Sequence, residues 1–200
     1  VRRYNLKELL LDKYKDNFYI IQGNTDKMVS CCTAGLIEKT KEAFPCMGYS
    51  LEDDIKITDK KYLDYVKNLP EKLFLELNGL KIELVHGSPR NQSENIYPNL
   101  SEDEVIKMTE NSDADLILCG HTHIPCGYSL KNNKTVVNVG SVGRSALDNK
   151  KSCYLRLVVD KDAKFYTEHR LISYDNIQAS RHVQARGFKH CEDLVRMYLE

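Results

Sequence analysis

An excess of charge of one sign is missing from this sequence. Lysine and arginine together number 29, and so do aspartate and glutamate, so the formal net charge at pH 7 is zero. There is therefore no overall basic field that would attract nucleic acid or an anionic membrane. Any recognition of phosphate must come from a local arrangement of side chains, and we expect neither a membrane nor a nucleic-acid partner.

C-x-x-C pairs and long apolar runs are missing as well. The seven cysteines are odd in number, and no segment has the pattern of a secretory signal or a membrane-spanning helix. This use of cysteine is typical of reduced thiols, so we expect a cytoplasmic protein. With 200 residues, 42% of them hydrophobic, the chain is long enough for one well-buried core. We expect a single domain over residues 1–200.

An initiating methionine is also missing, since the chain opens Val1-Arg2-Arg3-Tyr4. The next apolar residues have helical spacing, at Leu6, Leu9, Leu10 and Tyr14. A layered α/β domain does not normally start inside a helix. We therefore expect this chain to be a fragment.

Helical and strand patterns then alternate along the chain. Short apolar runs predict buried strands at residues 18–21, 80–85, 114–119 and 136–139. Helical spacing of apolar residues predicts a helix around residues 62–69, ended by Pro70. Ser101 and Glu104 form a capping-box pattern before a second helix. The alternation predicts a layered α/β fold.

The last quarter has a different character. Alternating apolar residues at 153–159 and 165–171, separated by a turn, predict a β-hairpin. Leu194, Val195, Tyr198 and Leu199 predict an amphipathic helix near the end, and we expect residues 172–200 to form a helical tail.

Three of the predicted strands end in a glycine next to a side chain that can bind metal. Asn24 follows Gly23, His86 precedes Gly87, and His121 and His123 follow Gly120. Because loops at the carboxyl ends of strands in an open α/β sheet converge on one crevice, we expect these side chains to meet. Imidazole and amide oxygen suit manganese, iron or zinc.

Each of these patterns also has an ordinary interpretation. An H-x-H sequence can simply be two residues on one face of a strand, and Asn and Asp beside Gly usually mark a turn. The ordered combination of Gly-Asn, His-Gly and Gly-His-Thr-His at successive strand ends favours a metal site.

At these residues the chain resembles the calcineurin-like metallophosphoesterases, especially the small bacterial and archaeal phosphodiesterases and the diadenosine tetraphosphatase-like group. The resemblance extends from about Leu6 to about Leu171 and includes Asn138-Val139-Gly140-Ser141, which is similar to the family's N-P-G-S turn. It implies two central mixed β-sheets flanked by helices. It also implies a helical cap at residues 30–75.

The resemblance further implies the metal ligands. Asn24, His86 and His121 would bind one of two divalent ions, and His123 would bind the other. The ions would be manganese, or else iron, zinc or nickel, and no side chain would act as a nucleophile. Arg90 and Arg144, each one loop from a motif, are candidates for binding substrate phosphate. His169, His182 and His190 lack this context and are taken as ordinary histidines.

The family's D-x-H and G-D-x-x-D motifs, which open its fold, do not occur in this sequence. We therefore expect the N-terminal βα units to be missing and this chain alone not to assemble a two-metal centre. Thr25 stands where many family members have histidine. The expected function is metal-dependent hydrolysis of a small phosphorylated substrate. A non-catalytic protein-interaction scaffold on the same fold, a different metal hydrolase or metal-binding protein, and a homo-oligomer are left open.

Overall fold

The structure is a computed structural model that describes residues 18–200, so the helix predicted at Leu6–Tyr14 lies outside the described residues. In chain order, the elements are α1 (Asn24–Cys31), α2 (Ala34–Ala43), α3 (Pro45–Ile57), α4 (Lys60–Lys67), β1 (Lys72–Leu77), β2 (Leu80–Val85), α5 (Glu102–Thr109), β3 (Leu116–Cys119), β4 (Cys126–Ser129), β5 (Thr135–Asn138), β6 (Ser152–Val159), β7 (Phe165–Ile172), α6 (Asn176–Gln184) and α7 (Cys191–Leu199).

The chain divides into two compact units. One comprises Val1–Pro70 together with Asp175–Glu200, and the other comprises Glu71–Tyr174. In the described part of the first unit, all of the regular elements are helices, namely α1 to α4, α6 and α7. Within residues 18–200, no helix has the length and apolar content needed to cross a bilayer.

An ion-pair cluster joins distant segments of the helical unit. Arg186, just after α6, donates from Nε to Asp53 Oδ2 at 2.8 Å and from Nη2 to Asp54 Oδ1 at 2.8 Å. Helices α1, α3, α4 and α6 each bury an apolar side chain, namely Val29, Leu51, Val66 and Val183. The helices in residues 30–75 are therefore held by packing within this unit. Their role as a cap over the site remains a prediction.

The second unit is built on a five-stranded mixed sheet with the strand order β1-β2-β3-β5-β4. Strands β2, β3 and β5 are parallel to one another, while β1 and β4 are antiparallel edge strands. Strands β6 and β7 form a separate antiparallel pair. The predicted α/β class with a central mixed sheet is confirmed.

Both faces of the central sheet are covered. On one face Ile117 and Val136 pack with Val105 of α5, and on the other Leu116 and Val137 pack with residues of the β6–β7 hairpin such as Leu155. Alternate side chains of each strand therefore enter opposite cores, as the pleat requires. This double burial fixes the parallel strands whose carboxyl ends carry the candidate site.

Most of the predicted elements are confirmed. The strand predicted at 80–85 has those bounds, and the strands predicted at 114–119 and 136–139 correspond to β3 and β5. The capping box before α5 is present, because Ser101 N donates to Glu104 Oε2 at 2.8 Å and Glu104 N to Ser101 Oγ at 3.4 Å. Strands β1 and β4 and helix α1 were not predicted, whereas α6 and α7 lie within the helical tail predicted at residues 172–200.

One predicted strand is wrong. Residues 18–21 have no regular secondary structure. The chain that follows is fixed by Gln22, whose backbone N–H donates to the Pro70 carbonyl at 2.8 Å and whose side chain donates to the Val66 carbonyl at 2.7 Å. An apolar run alone does not make a strand, since a strand also requires a partner that supplies its ladder of hydrogen bonds.

Candidate metal centre

The candidate site lies where the parallel strands of the central sheet end. His86 directly follows β2, and Gly120 and His121 follow β3. The two loops are joined by a hydrogen bond from Gly120 N to the His86 carbonyl at 2.9 Å. The strand-end geometry therefore brings two loops, 35 residues apart along the chain, into direct contact.

The imidazoles of His86 and His121 meet at this edge. Nε2 of His86 lies 3.1 Å from Nδ1 of His121, and the two rings are tilted by 70° with centroids 5.0 Å apart. At this separation, either one nitrogen donates a proton to the other or both lone pairs converge on a cation. The structure thus brings together two of the four predicted ligands.

Burial favours the metal-binding form of His121. It lowers the pKa of the imidazole below its ordinary value, and a hydrogen bond with the Ser93 backbone partly opposes this shift. An imidazole binds metal in its neutral form, so a lowered pKa favours the form in which this candidate ligand could bind.

The His86–His121 pair fits one metal ion. Nitrogen–metal bonds are about 2.0–2.1 Å long, so two nitrogens 3.1 Å apart would enclose an angle of about 95–100° at a shared ion. That angle suits two neighbouring ligands of a tetrahedral or octahedral ion. Among residues 18–200 there is no group of three or more His, Cys, Asp or Glu placed to hold a metal.

The loop after β3 has an unusual backbone. His121 and His123 both have left-handed conformations, with φ values of 66° and 63°. Residues other than glycine seldom adopt positive φ, and they keep it where the surrounding structure imposes it. The two histidines are therefore not alternate residues of a strand, which removes the ordinary interpretation of this H-x-H sequence.

Asn138 imposes much of that loop conformation. It is fully buried, and its side-chain amide donates to the Gly120 carbonyl at 2.6 Å and to Thr122 Oγ1 at 2.9 Å. Its side-chain oxygen accepts from Gly140 N at 3.1 Å, and its backbone carbonyl lies 2.7 Å from His169 Nε2. The last residue of β5 is thus hydrogen-bonded to the loop that carries His121 and His123.

The two candidate arginines lie in different surroundings. Arg144 Nε donates to His123 Nδ1 at 3.4 Å, so this arginine lies against a predicted ligand. Arg90 instead pairs with Glu94, with Nε 3.0 Å from Oε2, and donates from Nη1 to the Lys107 carbonyl at 3.0 Å. To bind phosphate, Arg90 would have to leave Glu94.

A family model for the calcineurin-like phosphoesterase superfamily domain matches residues 5–162 of the chain. The chain belongs to that superfamily.

Individual relatives agree with this family assignment. A probable metallophosphoesterase of Methanocaldococcus jannaschii is 34% identical over 77 residues, which are 38% of this chain and 36% of that protein. The match therefore spans about a third of the length of this curated relative. Members of the family are generally metal-dependent.

Two solved structures share the fold. A hypothetical protein of Pyrococcus horikoshii aligns with 98% of this chain and 78% of its own, with a TM-score of 0.81 and 17% identity. A metallophosphoesterase of Sphaerobacter thermophilus aligns with 90% of this chain and 75% of its own, with a TM-score of 0.67 and 18% identity. At these identities the likeness concerns the fold alone.

The fourth predicted ligand, Asn24, belongs to the helical unit. It is the first residue of α1, after the N-cap Gly23, whose N–H donates to the carboxylate of Asp26 at 2.9 Å. Asp26 thus caps the helix that carries Asn24 and Thr25. The participation of Asn24 and His123 in one centre with His86 and His121 remains a prediction.

The sequence predicts no role for Asn138, Thr122 or His169. Asn138 opens a turn similar to N-P-G-S, and that motif is the available signal for its importance. Thr122 lies between two candidate ligands. Nothing in the sequence around His169 marks its contact with the Asn138 carbonyl, because that contact joins segments 31 residues apart.

Proposed function

We propose that this protein is a metal-dependent phosphoesterase that hydrolyses phosphodiester, phosphoanhydride or phosphomonoester bonds of a small substrate. The observation that carries the proposal is the approach of His86 Nε2 to His121 Nδ1 at 3.1 Å, at the carboxyl ends of parallel strands. Membership of the phosphoesterase superfamily supports the reaction class. The odd set of cysteines without a C-x-x-C pair supports a cytoplasmic location.

The proposed ligands divide between two ions. Asn24, His86 and His121 would hold one ion, and His123 would contribute to the other. Bound divalent ions, of which manganese is our first choice and iron, zinc and nickel are the others, would supply an activated hydroxide and polarise the phosphate oxygens. Because the attacking group would be this hydroxide, no side chain would act as a nucleophile.

The remaining residues have supporting tasks. Asn138 holds the loop that carries His121 and His123 by hydrogen bonds to Gly120 and Thr122. These bonds would keep the imidazoles of His121 and His123 in position. Arg144, 3.4 Å from His123, would orient a phosphate oxygen by a charge-assisted hydrogen bond. We expect Arg144→Ala to raise KM more than it lowers kcat, whereas Arg90→Ala would act mainly on stability because of its pair with Glu94.

Metal binding by the histidines can be tested on the chain of 200 residues without an activity assay. Mn²⁺ is titrated while the ring-proton NMR signals of the histidines are followed, since a paramagnetic ion broadens the nearest signals. We expect the His86 and His121 signals to broaden before those of His123, and His182 on the exposed side of α6 to respond last. Simultaneous broadening of all of the histidines would contradict a specific site.

Catalysis is tested on the protein expressed from its complete open reading frame. We expect His86→Ala and His121→Ala each to reduce hydrolysis of an aryl phosphodiester by at least about 10²-fold, whereas His182→Ala leaves it within about twofold. Chelation should abolish activity and manganese should restore it. Undiminished hydrolysis after exhaustive chelation would contradict the metal mechanism, and specific metal binding without hydrolysis of any phosphate ester would favour the scaffold alternative.

A further inference from the structure

The outer edge of the central sheet is a self-complementary surface. We propose that strand β1 (Lys72–Leu77) pairs antiparallel with β1 of a second copy of this chain, with the two-fold axis at Phe74, so that the two sheets become continuous.

The β1 edge is long and has no second neighbouring strand among residues 18–200. Strand β1 is at the end of the strand order and pairs only with β2 among the strands of residues 18–200. It has six residues, whereas β4 at the opposite edge has four. Phe74, at its centre, is 61% exposed. An exposed edge strand with unpaired backbone groups is a template for pairing with another chain.

The hydrogen-bond phase of β1 identifies the groups that face outward. Strands β1 and β2 are joined by the two-residue turn Asn78-Gly79, with φ values of 53° and 90°, so Leu77 and Leu80 form the closing pair. Because antiparallel pairs alternate, the backbone groups of Leu73, Leu75 and Leu77 face β2. Those of Lys72, Phe74 and Glu76 therefore face the open edge.

Charge selects one register of pairing. When Phe74 lies opposite Phe74 of the second copy, Lys72 lies opposite Glu76 of that copy, and the reciprocal pair forms by symmetry. All three outward-facing residues then exchange backbone hydrogen bonds, and their side chains share one face of the sheet. A shift of the register by two residues would place Glu76 opposite Phe74 and lose both charge pairs. Opposite charges directly across two strands stabilise their pairing.

Lys72 also has an ion-pair partner within its own chain, the buried Glu83 of β2. Glu83, opposite Phe74 on β2, is 0% exposed, and neither of its carboxylate oxygens accepts a hydrogen bond from the part of the chain that the structure describes. Lys72 Nζ lies 3.6 Å from its Oε1 and supplies the counter-charge. Removal of Lys72 would leave a buried carboxylate without that charge, so the test substitutes Glu76 instead.

The contact between two six-residue strands is small, so the dimer should be weak. Interfaces well below 1,200 Å² belong to transient complexes. Its formation is measured by sedimentation equilibrium from about 10 μM to about 1 mM, together with amide hydrogen exchange by NMR. We expect the amides of Phe74 and Glu76 to gain protection as concentration rises, whereas the Leu75 amide, which already faces β2, stays constant. A monomer at about 1 mM would overturn the proposal.

Substitutions at the edge test the register. Phe74→Pro removes an outward N–H without breaking a bond to β2, and proline is tolerated at such edge positions. We expect it to abolish the dimer, whereas Phe74→Thr, which keeps the N–H, retains it. Glu76→Gln removes the charge opposite Lys72 of the second copy without placing a lysine opposite Lys81 on β2, and it should weaken the dimer severalfold. Asp162→Asn on the exposed β6–β7 turn removes the same charge and should have no effect. A dimer that survives both Phe74→Pro and Glu76→Gln would overturn the proposal.

Discussion

The side-chain amide of Asn138 donates to the hydroxyl of Thr122 at 2.9 Å, which joins the end of β5 to the loop between His121 and His123. Thr122 Oγ1 also accepts from Ile124 N at 3.3 Å, so one hydroxyl is bonded both to β5 and to the backbone after His123. The same amide donates to the Gly120 carbonyl at 2.6 Å. One buried side chain thus holds the residues on both sides of the candidate ligand His121.

We predict that Asn138→Asp is strongly destabilising. The substitution replaces an N–H donor by a carboxylate oxygen that would face the carbonyl of Gly120 and the hydroxyl of Thr122 in a fully buried position. The expected loss is about 2–4 kcal/mol in the free energy of unfolding, measured by urea denaturation. Asn95→Asp, at an exposed loop position, is the matched control and should change the free energy by less than about 0.5 kcal/mol. Equal stability of the two variants would show that the buried amide is dispensable.

A second prediction concerns Gly87, which follows His86 and is buried. A Cβ at this position would lie 2.6 Å from the carbonyl oxygens of both Asn91 and Gln92. Because backbone oxygens cannot move aside as a flexible side chain can, we expect Gly87→Ala to cost about 1–3 kcal/mol in the free energy of unfolding. Gly143→Ala is the control, since a Cβ there meets no atom within 4 Å. The prediction fails if both variants melt at the wild-type temperature.

A third prediction is a dependence of stability on pH. A hydrogen bond from Arg90 lowers the pKa of Glu94; burial partly opposes this shift, and the Ser88 hydroxyl reinforces it. A carboxyl whose folded-state pKa is lowered contributes stability that is fully present above its unfolded value of about 4.3 and is lost as the pH falls through the folded-state pKa. The contribution should therefore be constant at neutral pH and disappear in acid.

Glu94→Gln tests this directly. At pH 7 the variant should be less stable by up to about 1 kcal/mol, since the pair with Arg90 is partly exposed, and the difference from wild type should vanish as the pH falls well below about 4. Glu42→Gln, on the exposed side of α2, should show neither effect. If the difference in stability between Glu94→Gln and wild type persisted unchanged into acid, packing of the Glu94 side chain, and not its charge, would be the stabilising contribution.

The sequence contained enough information for the parallel strands and for the meeting of His86 and His121. Strands β2, β3 and β5 are buried on both faces, so their apolar residues stand out, and the carboxyl ends of parallel strands must share an edge. Strand β1 was missed because an edge strand need not be apolar on both faces, and its even-numbered residues are exposed.

Other features depended on long-range partners. Residues 18–21 have the composition of a strand, but the Gln22 amide is taken by Pro70, almost 50 residues later. The left-handed backbone of His121 and His123 could not be read locally either. Glycine is the usual sign of positive φ, and here Asn138 from another strand holds Gly120 and Thr122, the residues on either side of His121.

The last prediction concerns Thr25, which replaces the histidine that many family members have after the ligand asparagine. The resemblance implies that this histidine protonates the departing oxygen in those members, a contribution of roughly 10²–10⁴ in rate. A threonine hydroxyl has no pKa near neutrality. Its neighbour Asp26 is engaged by the N–H of Gly23 at 2.9 Å, where it caps α1. Substrates whose leaving groups depart without a proton should therefore be preferred.

We predict a higher kcat/KM for an aryl phosphodiester than for an alkyl phosphomonoester, measured on the protein from its complete open reading frame. Thr25→His should raise the rate on the alkyl monoester by about 10²-fold relative to the diester, because it introduces an acid with an ordinary pKa of about 6.5. Thr25→Asn, which enlarges the side chain without adding an acid, should leave the ratio near that of wild type. The inference from the absent acid is wrong if wild type favours the alkyl monoester, or if the histidine and asparagine variants have the same ratio. A higher rate on the alkyl monoester with Thr25→His, but not with Thr25→Asn, would locate proton donation at the first turn of α1, next to the asparagine proposed to bind metal.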